Sequence, residues 1–215
     1  MQTLELKKTY KALYGPSPKK IELIDVPRLQ FLMIDGAIEP GLAPGNSPLF
    51  QENVQALYGV AYTLKFTLKK RKEDPVDYPV MALEGLWWVE DGLFDITAPD
   101  NWIYTVMIMV PELITHELFG EAVAQLRTKK GEQPGFNRLR LDHFQEGLCV
   151  QTMHVGPYAD EPATVQRMRL FAETMGCKDR VELGGKHHEI YLGNPQRADP
   201  AKLKTVVRHP VEQVN

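Results

Sequence analysis

The chain has 215 residues, of which 43% are hydrophobic and 25% charged, proportions that are ordinary for a soluble globular protein. Its formal net charge of -3 is too small to indicate a nucleic acid as partner. The most apolar run, residues 102–110, is far shorter than a membrane span, and residues 1–8 lack an apolar export signal. Two cysteines without CxxC spacing are typical of free thiols, so we expect a cytoplasmic protein without nucleic-acid or membrane partners.

The chain begins with a segment that predicts an arm. Residues 1–20 end in a turn-forming stretch that contains Gly15, Pro16 and Pro18. From residue 21 to residue 37, large apolar and β-branched residues predict a strand pair or one bulged strand. The break falls at Pro27, because proline cannot donate to the middle of a ladder.

A helix and a hairpin are predicted next. Ser47 followed by Pro48 is typical of a helix N-cap and first turn, and apolar residues recur at helical spacing as far as Leu68. Residues 80–89 and 102–110 then predict two strands that form a long hairpin. The first half of the chain therefore has the order strand, helix, strand, strand.

The second half repeats this order after a linking helix, predicted from Pro111 to about residue 130. Strands are predicted within residues 136–158, with a break near Glu146, and a helix follows the cap-like sequence Asp160-Glu161-Pro162 as far as Met175. The last predicted elements are a strand over residues 186–192, a turn at Asn194-Pro195 and a strand over residues 203–210.

The repeat predicts an α+β fold, because the same βαββ order occurs twice with a period of about a hundred residues. We expect one domain over residues 21–215 with pseudo-twofold symmetry. It would comprise a first half at about 21–110, a linking helix at 111–130 and a second half at 136–215. Helices should back one face of an antiparallel sheet and leave the other face to form an open ligand cleft.

The strand around Glu189 carries the strongest functional candidate. Alternation along a strand places His187, Glu189 and Tyr191 on one face and His188 on the other. A lone carboxylate among apolar neighbours is expensive to bury without a partner, a proton or a cationic ligand. Glu189 is therefore a candidate for proton transfer or for binding a cation, and an ion pair with Lys186 or His187 is the structural alternative.

Three positions in the first hairpin are weaker candidates. Glu84 would supply a second carboxylate for acid–base work if it approaches Glu189 across the pseudo-twofold axis, but it could also face solvent. Of the neighbours Trp87 and Trp88, one is predicted in the core and the other in the cleft, because they point to opposite faces. The hydroxyl of Tyr104 could orient a ligand or bond a backbone carbonyl.

The remaining candidates for ligand binding are expected at the lining or rim of the cleft, with plain packing as the alternative: Trp102, Tyr158, His187, Tyr191 and Met33. The histidines at 154, 187, 188 and 209 match no standard zinc spacing, so we expect neither a metal site nor a cofactor.

Two sequence stretches give a resemblance to a known family. They are His188-Glu189-Ile190-Tyr191-Leu192 with Asn194-Pro195, and Val155-Gly156-Pro157-Tyr158 before the second helix. With the repeat order, they resemble the GyrI-like small-molecule-binding domains from about residue 21 to residue 210. The resemblance implies a cleft in which Glu189 meets cationic aromatic drugs. The chain shows no helix-turn-helix extension, so it does not resemble a transcription regulator.

Within this family, the stretch of residues 84–88 and the Glu189 hairpin are most similar to a stand-alone branch, the cyclopropanoid cyclopropyl hydrolases. That branch implies detoxification of cyclopropane-bearing genotoxins by water addition. Glu189 would position or activate the water, while Tyr104 and Trp88 fix the ring system. A non-catalytic multidrug-binding module and a topoisomerase-interacting protein are the alternatives. The sequence does not indicate the oligomeric state.

Overall fold

The computed structural model describes residues 1–99, 101–193 and 198–214, so the predicted turn at Asn194-Pro195 lies outside the described residues. The helices are α1 (Leu6–Thr9), α2 (Lys11–Tyr14), α3 (Pro48–Lys69), α4 (His116–Lys130) and α5 (Glu161–Thr174). The strands are β1 (Gln2–Thr3), β2 (Glu22–Val26), β3 (Leu29–Ala37), β4 (Val76–Asp77), β5 (Leu83–Trp88), β6 (Ile103–Met109), β7 (Leu139–Phe144), β8 (Gly147–Val155), β9 (Cys177–Asp179), β10 (His187–Tyr191) and β11 (Lys204–Gln213). None of the helices in the described ranges is both long and apolar enough to cross a membrane.

Nine of the described strands form one antiparallel sheet in the order β2-β8-β11-β10-β5-β6-β3-β7, with β9 paired to the end of β11. Strands β3, β6 and β5 of the first half meet β10, β11 and β8 of the second half at the central β5–β10 pair. The predicted α+β fold with a tandem βαββ repeat is therefore confirmed. A separate parallel pair joins β1 to β4.

The large sheet is strongly curled. Strands β2 and β3 lie six strand positions apart in the sheet, about 29 Å if the sheet were flat. Only Pro27 and Arg28 connect them, and these two residues span at most about 11 Å. The sheet must therefore bend until its two ends approach each other. Its inner face is filled by apolar side chains: Met33, Leu86, Met107, Ile190 and Val206.

Helices α3 and α5 pack on the outer face of this curled sheet. Trp87 and Tyr104 are cross-strand neighbours, and Phe50 of α3 contacts both rings. Glu161, at the start of α5, reaches His187 on the same face. The helices thus share the face that carries Glu189. The expectation that the cleft lies on the face opposite the helices is wrong, because that face is the packed interior.

The N-terminal arm closes one part of the interior. Leu13 and Tyr14 are buried in the main core. The guanidinium group of Arg208 donates to the carbonyl of Leu13 at 2.7 Å, and the amide of Gln151 donates to that of Ala12 at 2.9 Å. The arm therefore contributes to the same core as the rest of the chain. The predicted division into an arm of residues 1–20 and a domain of residues 21–215 stays a prediction.

Most predicted helix ends are accurate, with one exception. The Ser47 hydroxyl accepts from the Phe50 N–H as the predicted cap, and Gly131 ends α4 with a φ of 78°. Helix α4, however, begins at His116 and is capped by Thr115 rather than starting at Pro111. The carbonyl of Pro111 instead accepts from the Ile114 N–H in a turn.

Candidate functional site

An open cleft of about 1470 Å³ lies on the outer face of the central strands, between the N-terminal turns of α3 and α5. Glu189, Tyr191 and Trp87 form its floor. Its walls come from α3, the segment before β6, the start of α5 and the arm, and their main side chains are mostly aromatic or apolar: Phe50, Val54, Tyr58, Tyr62, Ile96, Trp102, Tyr158, Pro162 and Tyr14.

Trp87 is the centre of the aromatic floor. Its ring centroid lies 5.4 Å from those of Phe50 and Trp102, and its indole N–H donates to the Tyr191 hydroxyl at 3.0 Å. This pair lies across Gly85, where a Cβ atom would sit 2.7 Å from the indole nitrogen and 3.1 Å from the hydroxyl. Glycine is therefore required at position 85 for the Trp87–Tyr191 pair to lie close to the strand.

Glu189 is held from behind by an imidazole. The Nε2 atom of His187 lies 3.0 Å from a carboxylate oxygen of Glu189 and 3.2 Å from one of Glu161. Glu161 is fully buried, and neither of its oxygens has a hydrogen-bond partner among the described residues. Glu189 is 8% exposed and borders the cleft. One imidazole thus lies between a carboxyl group open to the cleft and a carboxyl group sealed beneath it.

The site holds its acidic groups in different proton states. Burial and the charge of Glu189 raise the pKa of Glu161 to about 7. Burial opposes ionisation of Glu189 as well, but the hydrogen bond and charge of His187 outweigh it and hold the pKa of Glu189 below its ordinary value. Burial alone would lower the pKa of His187, yet the two carboxyl groups raise it to about 9. Glu189 is therefore ionised and His187 cationic near neutral pH.

The structure brings five of the predicted site residues to the cleft: Trp87, Trp102, Tyr158, Glu189 and Tyr191. Five others do not line it. Glu84 faces the interior, where it accepts from the Tyr14 hydroxyl and lies 3.1 Å from His188. The reason is register, since Glu189 is paired with Gly85 and Glu84 points to the opposite face.

The four others lie beside or behind the cleft. Trp88 faces away from it, beneath the Lys186 ammonium group at 3.7 Å. Tyr104 is fully buried and its hydroxyl accepts from the Asn53 amide at 2.9 Å. Met33 packs in the interior beside Met107. His187 lies behind Glu189.

Sequence reasoning missed Glu161, Asp179 and His209 as parts of the site. In the sequence, Glu161 belongs to the cap-like stretch before α5, and acidic residues are common in the first turn of a helix. The Nδ1 atom of His187 lies 2.6 Å from Nε2 of His209, whose Nδ1 lies 2.6 Å from Asp179. Alternation within the last strand places His209 on the same face as Val207, but nothing in the sequence indicates that β9 adds Asp179 beside it.

Three of these groups are close enough to be considered as metal ligands. The donor atoms of Glu161, His187 and Glu189 all lie within 4.8 Å of one another. Both ring nitrogens of His187 already have hydrogen-bond partners, in His209 and Glu189. His187 is cationic near neutral pH and so has no free nitrogen lone pair for a metal ion, and we assign no metal to these groups.

Comparison with known proteins places this geometry in a family. The family model of the GyrI-like small molecule binding domain matches residues 19–212. A structure described as a hydrolase from Listeria innocua is 37% identical with a TM-score of 0.82, covering 97% of this chain and 100% of that one. A second Listeria innocua hydrolase structure is 39% identical with a TM-score of 0.83, covering 98% and 100%. An uncharacterized conserved protein from Listeria innocua is 39% identical with a TM-score of 0.86, covering 97% and 100%. No curated protein matches the chain.

Proposed function

The chain belongs to the family of GyrI-like small-molecule-binding domains, and from that premise we propose that it captures flat apolar or cationic molecules in the aromatic cleft and hydrolyses them. The proposed substrates are genotoxins that carry a cyclopropane ring conjugated to a carbonyl group. The proposed role in the cell is detoxification.

The cleft walls support the binding part of this proposal. Phe50, Tyr58 and Tyr62 are partly exposed in the cleft above the Trp87 ring, and aromatic contacts with a flat ligand contribute about 0.5–1.5 kcal/mol per ring pair beyond burial. The ionised Glu189 at the floor adds attraction for a ligand cation. The stated hydrolase activity of the two Listeria proteins supports turnover rather than storage.

The observation that carries the catalytic part is the pair of carboxyl groups around His187. An ionised Glu189 and a sealed Glu161 with a pKa near 7 give the site a base and a proton store at the same pH. In the proposed step, Glu189 takes a proton from a water molecule as the water oxygen attacks the strained ring carbon. The ring carbon–carbon bond breaks, and its electron pair moves to the conjugated carbonyl oxygen.

That carbonyl oxygen gains negative charge in the step and needs a hydrogen-bond donor. Burial, with the charge of Glu189, raises the pKa of Tyr158 to about 12, so its hydroxyl keeps its proton at neutral pH. We assign this donor role to Tyr158 at the cleft rim, and stacking to Phe50, which packs on the Trp87 ring. Tyr104 and Trp88, the sequence-based choices for these roles, do not line the cleft.

The test is incubation of the purified protein with a cyclopropyl-dienone alkylator, followed by mass spectrometry of the water adduct. We expect Glu189→Gln to lower turnover by a factor of about 10² or more, since a general base contributes about 10²–10⁴-fold. The ligand should still bind. Glu84→Gln, a matched change on the paired strand with its side chain in the interior, should keep the turnover of the folded protein.

Three results would contradict parts of the proposal. Stoichiometric protection without turnover would leave a drug-sequestering module, in which Glu189 supplies only charge. Full turnover by Glu189→Gln would exclude Glu189 as the base. Equal losses in Glu189→Gln and Glu84→Gln would mean that the effect is structural.

A further inference from the structure

A buried chain of polar groups extends from Glu189 away from the cleft. It runs from Glu189 to His187 at 3.0 Å, from His187 to His209 at 2.6 Å, and from His209 to Asp179 at 2.6 Å. His187, His209 and Asp179 are all buried, and none of the three lines the cleft. The chain ends at a second, smaller pocket of about 480 Å³, whose lining includes Asp179 and Arg169.

The far end of the chain is an anion with fixed partners. One oxygen of Asp179 accepts from the Val181 N–H at 2.9 Å. The other oxygen lies 2.6 Å from Nδ1 of His209 and 3.3 Å from Nε of Arg169. Burial alone would raise the pKa of Asp179, but these donors lower it, so the group is ionised near neutral pH.

An ionised Asp179 dictates where each proton of the chain lies. Because a carboxylate can only accept, His209 must carry its proton on Nδ1. Burial and the neighbouring His187 cation lower the pKa of His209, so this imidazole is neutral and its Nε2 atom is an acceptor. His187 must then donate from Nδ1 to His209, which leaves its Nε2–H to donate to Glu189.

We propose that Asp179 and His209 are positioning residues, which hold His187 with a proton on each ring nitrogen and thereby keep Glu189 ionised and oriented toward the cleft. The effect of these residues on catalysis rests on the proposed function. The hydrogen-bond order itself does not depend on any ligand. A neutral imidazole can also be a donor to Glu189, but only a cationic one donates to Glu189 and His209 together.

The charged and titratable groups around His187 come from four elements. Glu161 faces it from α5, Glu189 and Tyr191 belong to β10, His209 belongs to β11, and Asp179 lies one imidazole further on in β9. Arg169 faces Asp179 and not His187. Changing Asp179 therefore alters His187 through His209.

Asp179→Asn is the most informative change. The Val181 N–H requires the asparagine carbonyl, which turns the NH₂ group toward His209 and Arg169. The Arg169 side chain is one-third exposed and can turn into solvent, so the NH₂ group donates to His209 where the carboxylate accepted. His209 then becomes an acceptor at Nδ1 and a donor at Nε2. His187 must accept at Nδ1, which removes one of its two protons. The substitution thus inverts the order of two successive hydrogen bonds with almost no change in volume.

The experiment is long-range ¹H–¹⁵N NMR of histidine-labelled protein between pH 5 and pH 10, without ligand. In the unsubstituted protein we expect His209 as the Nδ1–H tautomer and His187 protonated on both nitrogens at pH 7. In Asp179→Asn we expect the Nε2–H tautomer of His209, and a pKa of His187 that is lower by at least one unit. Glu146→Gln, which changes the neighbour of His188 instead, should leave both His187 signals unchanged.

Turnover gives the second readout, because a purely structural role would not shift a pH profile. The acid limb of the kcat/KM profile should move to higher pH by at least one unit in Asp179→Asn. His209→Gln should shift the acid limb less, since a glutamine carbonyl can still accept from His187.

An Nε2–H tautomer of His209 in the unsubstituted protein overturns the proposal even if Asp179→Asn fails to fold. Equal shifts in both variants also overturn it. The expected tautomers without any turnover would refute the proposed function and leave the hydrogen-bond order intact.

Discussion

The adjacent residues His187 and His188 occupy similar settings on opposite faces of β10. Each imidazole lies between two buried carboxyl groups. On the outer face, His187 lies 3.0 Å from Glu189 and 3.2 Å from Glu161. On the inner face, His188 lies 3.1 Å from Glu84 and 2.9 Å from Glu146. The two clusters differ in what surrounds them.

In the inner cluster, two basic side chains face two carboxyl groups. Arg208 adds a second cation 3.4 Å from Glu146, and the Tyr14 hydroxyl donates to Glu84. The outer cluster has one cation for two carboxyl groups, and Glu161 has no hydrogen-bond partner among the described residues. Burial without full pairing shifts pKa values and is frequent at functional sites, whereas full pairing is typical of structural networks. The difference in pairing supports a structural role for the inner cluster and places the proposed chemistry at the outer cluster.

The largest expected effect is on the inner face, through Arg208→Met. This change leaves Glu146 buried with His188 alone and removes the donor to the Leu13 carbonyl. Losing one partner of a buried ion pair costs about 3–5 kcal/mol, so the free energy of unfolding in urea should fall by about that amount. Turnover per folded molecule should not change.

Arg140→Met is the control for the loss of a charge. Arg140 pairs with Asp35 at the surface, with both side chains more than one-third exposed, and such pairs contribute about 0–1 kcal/mol. If Arg208→Met abolished turnover in protein that is still folded, the separation of the two faces would be wrong.

A smaller effect is expected from Trp87 and Trp88, which lie on opposite faces of β5 as His187 and His188 do on β10. Trp87→Phe removes the indole N–H that donates to Tyr191 and reduces the ring area at the cleft floor. Affinity for a flat cationic dye, measured by calorimetry, should fall about tenfold, because aromatic contacts contribute about 0.5–1.5 kcal/mol each. Trp88→Phe should leave the affinity unchanged, and equal losses would contradict the placement of the cleft.

The repeat and the residues that share one face of β10 could be predicted from the sequence alone. Strand alternation correctly grouped His187, Glu189 and Tyr191, because a two-residue period needs no information from the rest of the chain. Glu84 was misplaced because its role depends on register, and a shift of one residue reverses the face. Alternation alone could not give the pairing of Glu189 with Gly85.

The outer cluster was only partly predictable for a different reason. Glu161 and Asp179 come from α5 and β9, and their local sequence does not indicate the contacts that they make. Their contacts with His187 and His209 arise only when α5 packs on the sheet and β9 pairs with β11. The curling of the sheet likewise decides that the cleft opens beside the helices.

The last expected effect is on the pH dependence of stability, and it is spread over several pH units. The pKa of His187 is raised to about 9 from an ordinary value near 6.5, so the folded protein binds more protons than the unfolded chain between these values. The contribution of His187 is complete below pH 6.5 and is lost as the pH rises through 9. Glu161, with a pKa raised to about 7, loses its contribution between about pH 4.5 and pH 7. The free energy of unfolding should fall by at most about 1.4 kcal/mol per pH unit where the folded protein binds one proton more than the unfolded chain.

The measurement is thermal unfolding from pH 5 to pH 10. The loss of stability above pH 7 should be smaller in His187→Gln, and the loss of stability below pH 7 should be smaller in Glu161→Gln. Unchanged slopes in both variants would mean that the outer cluster is as fully compensated as the inner one.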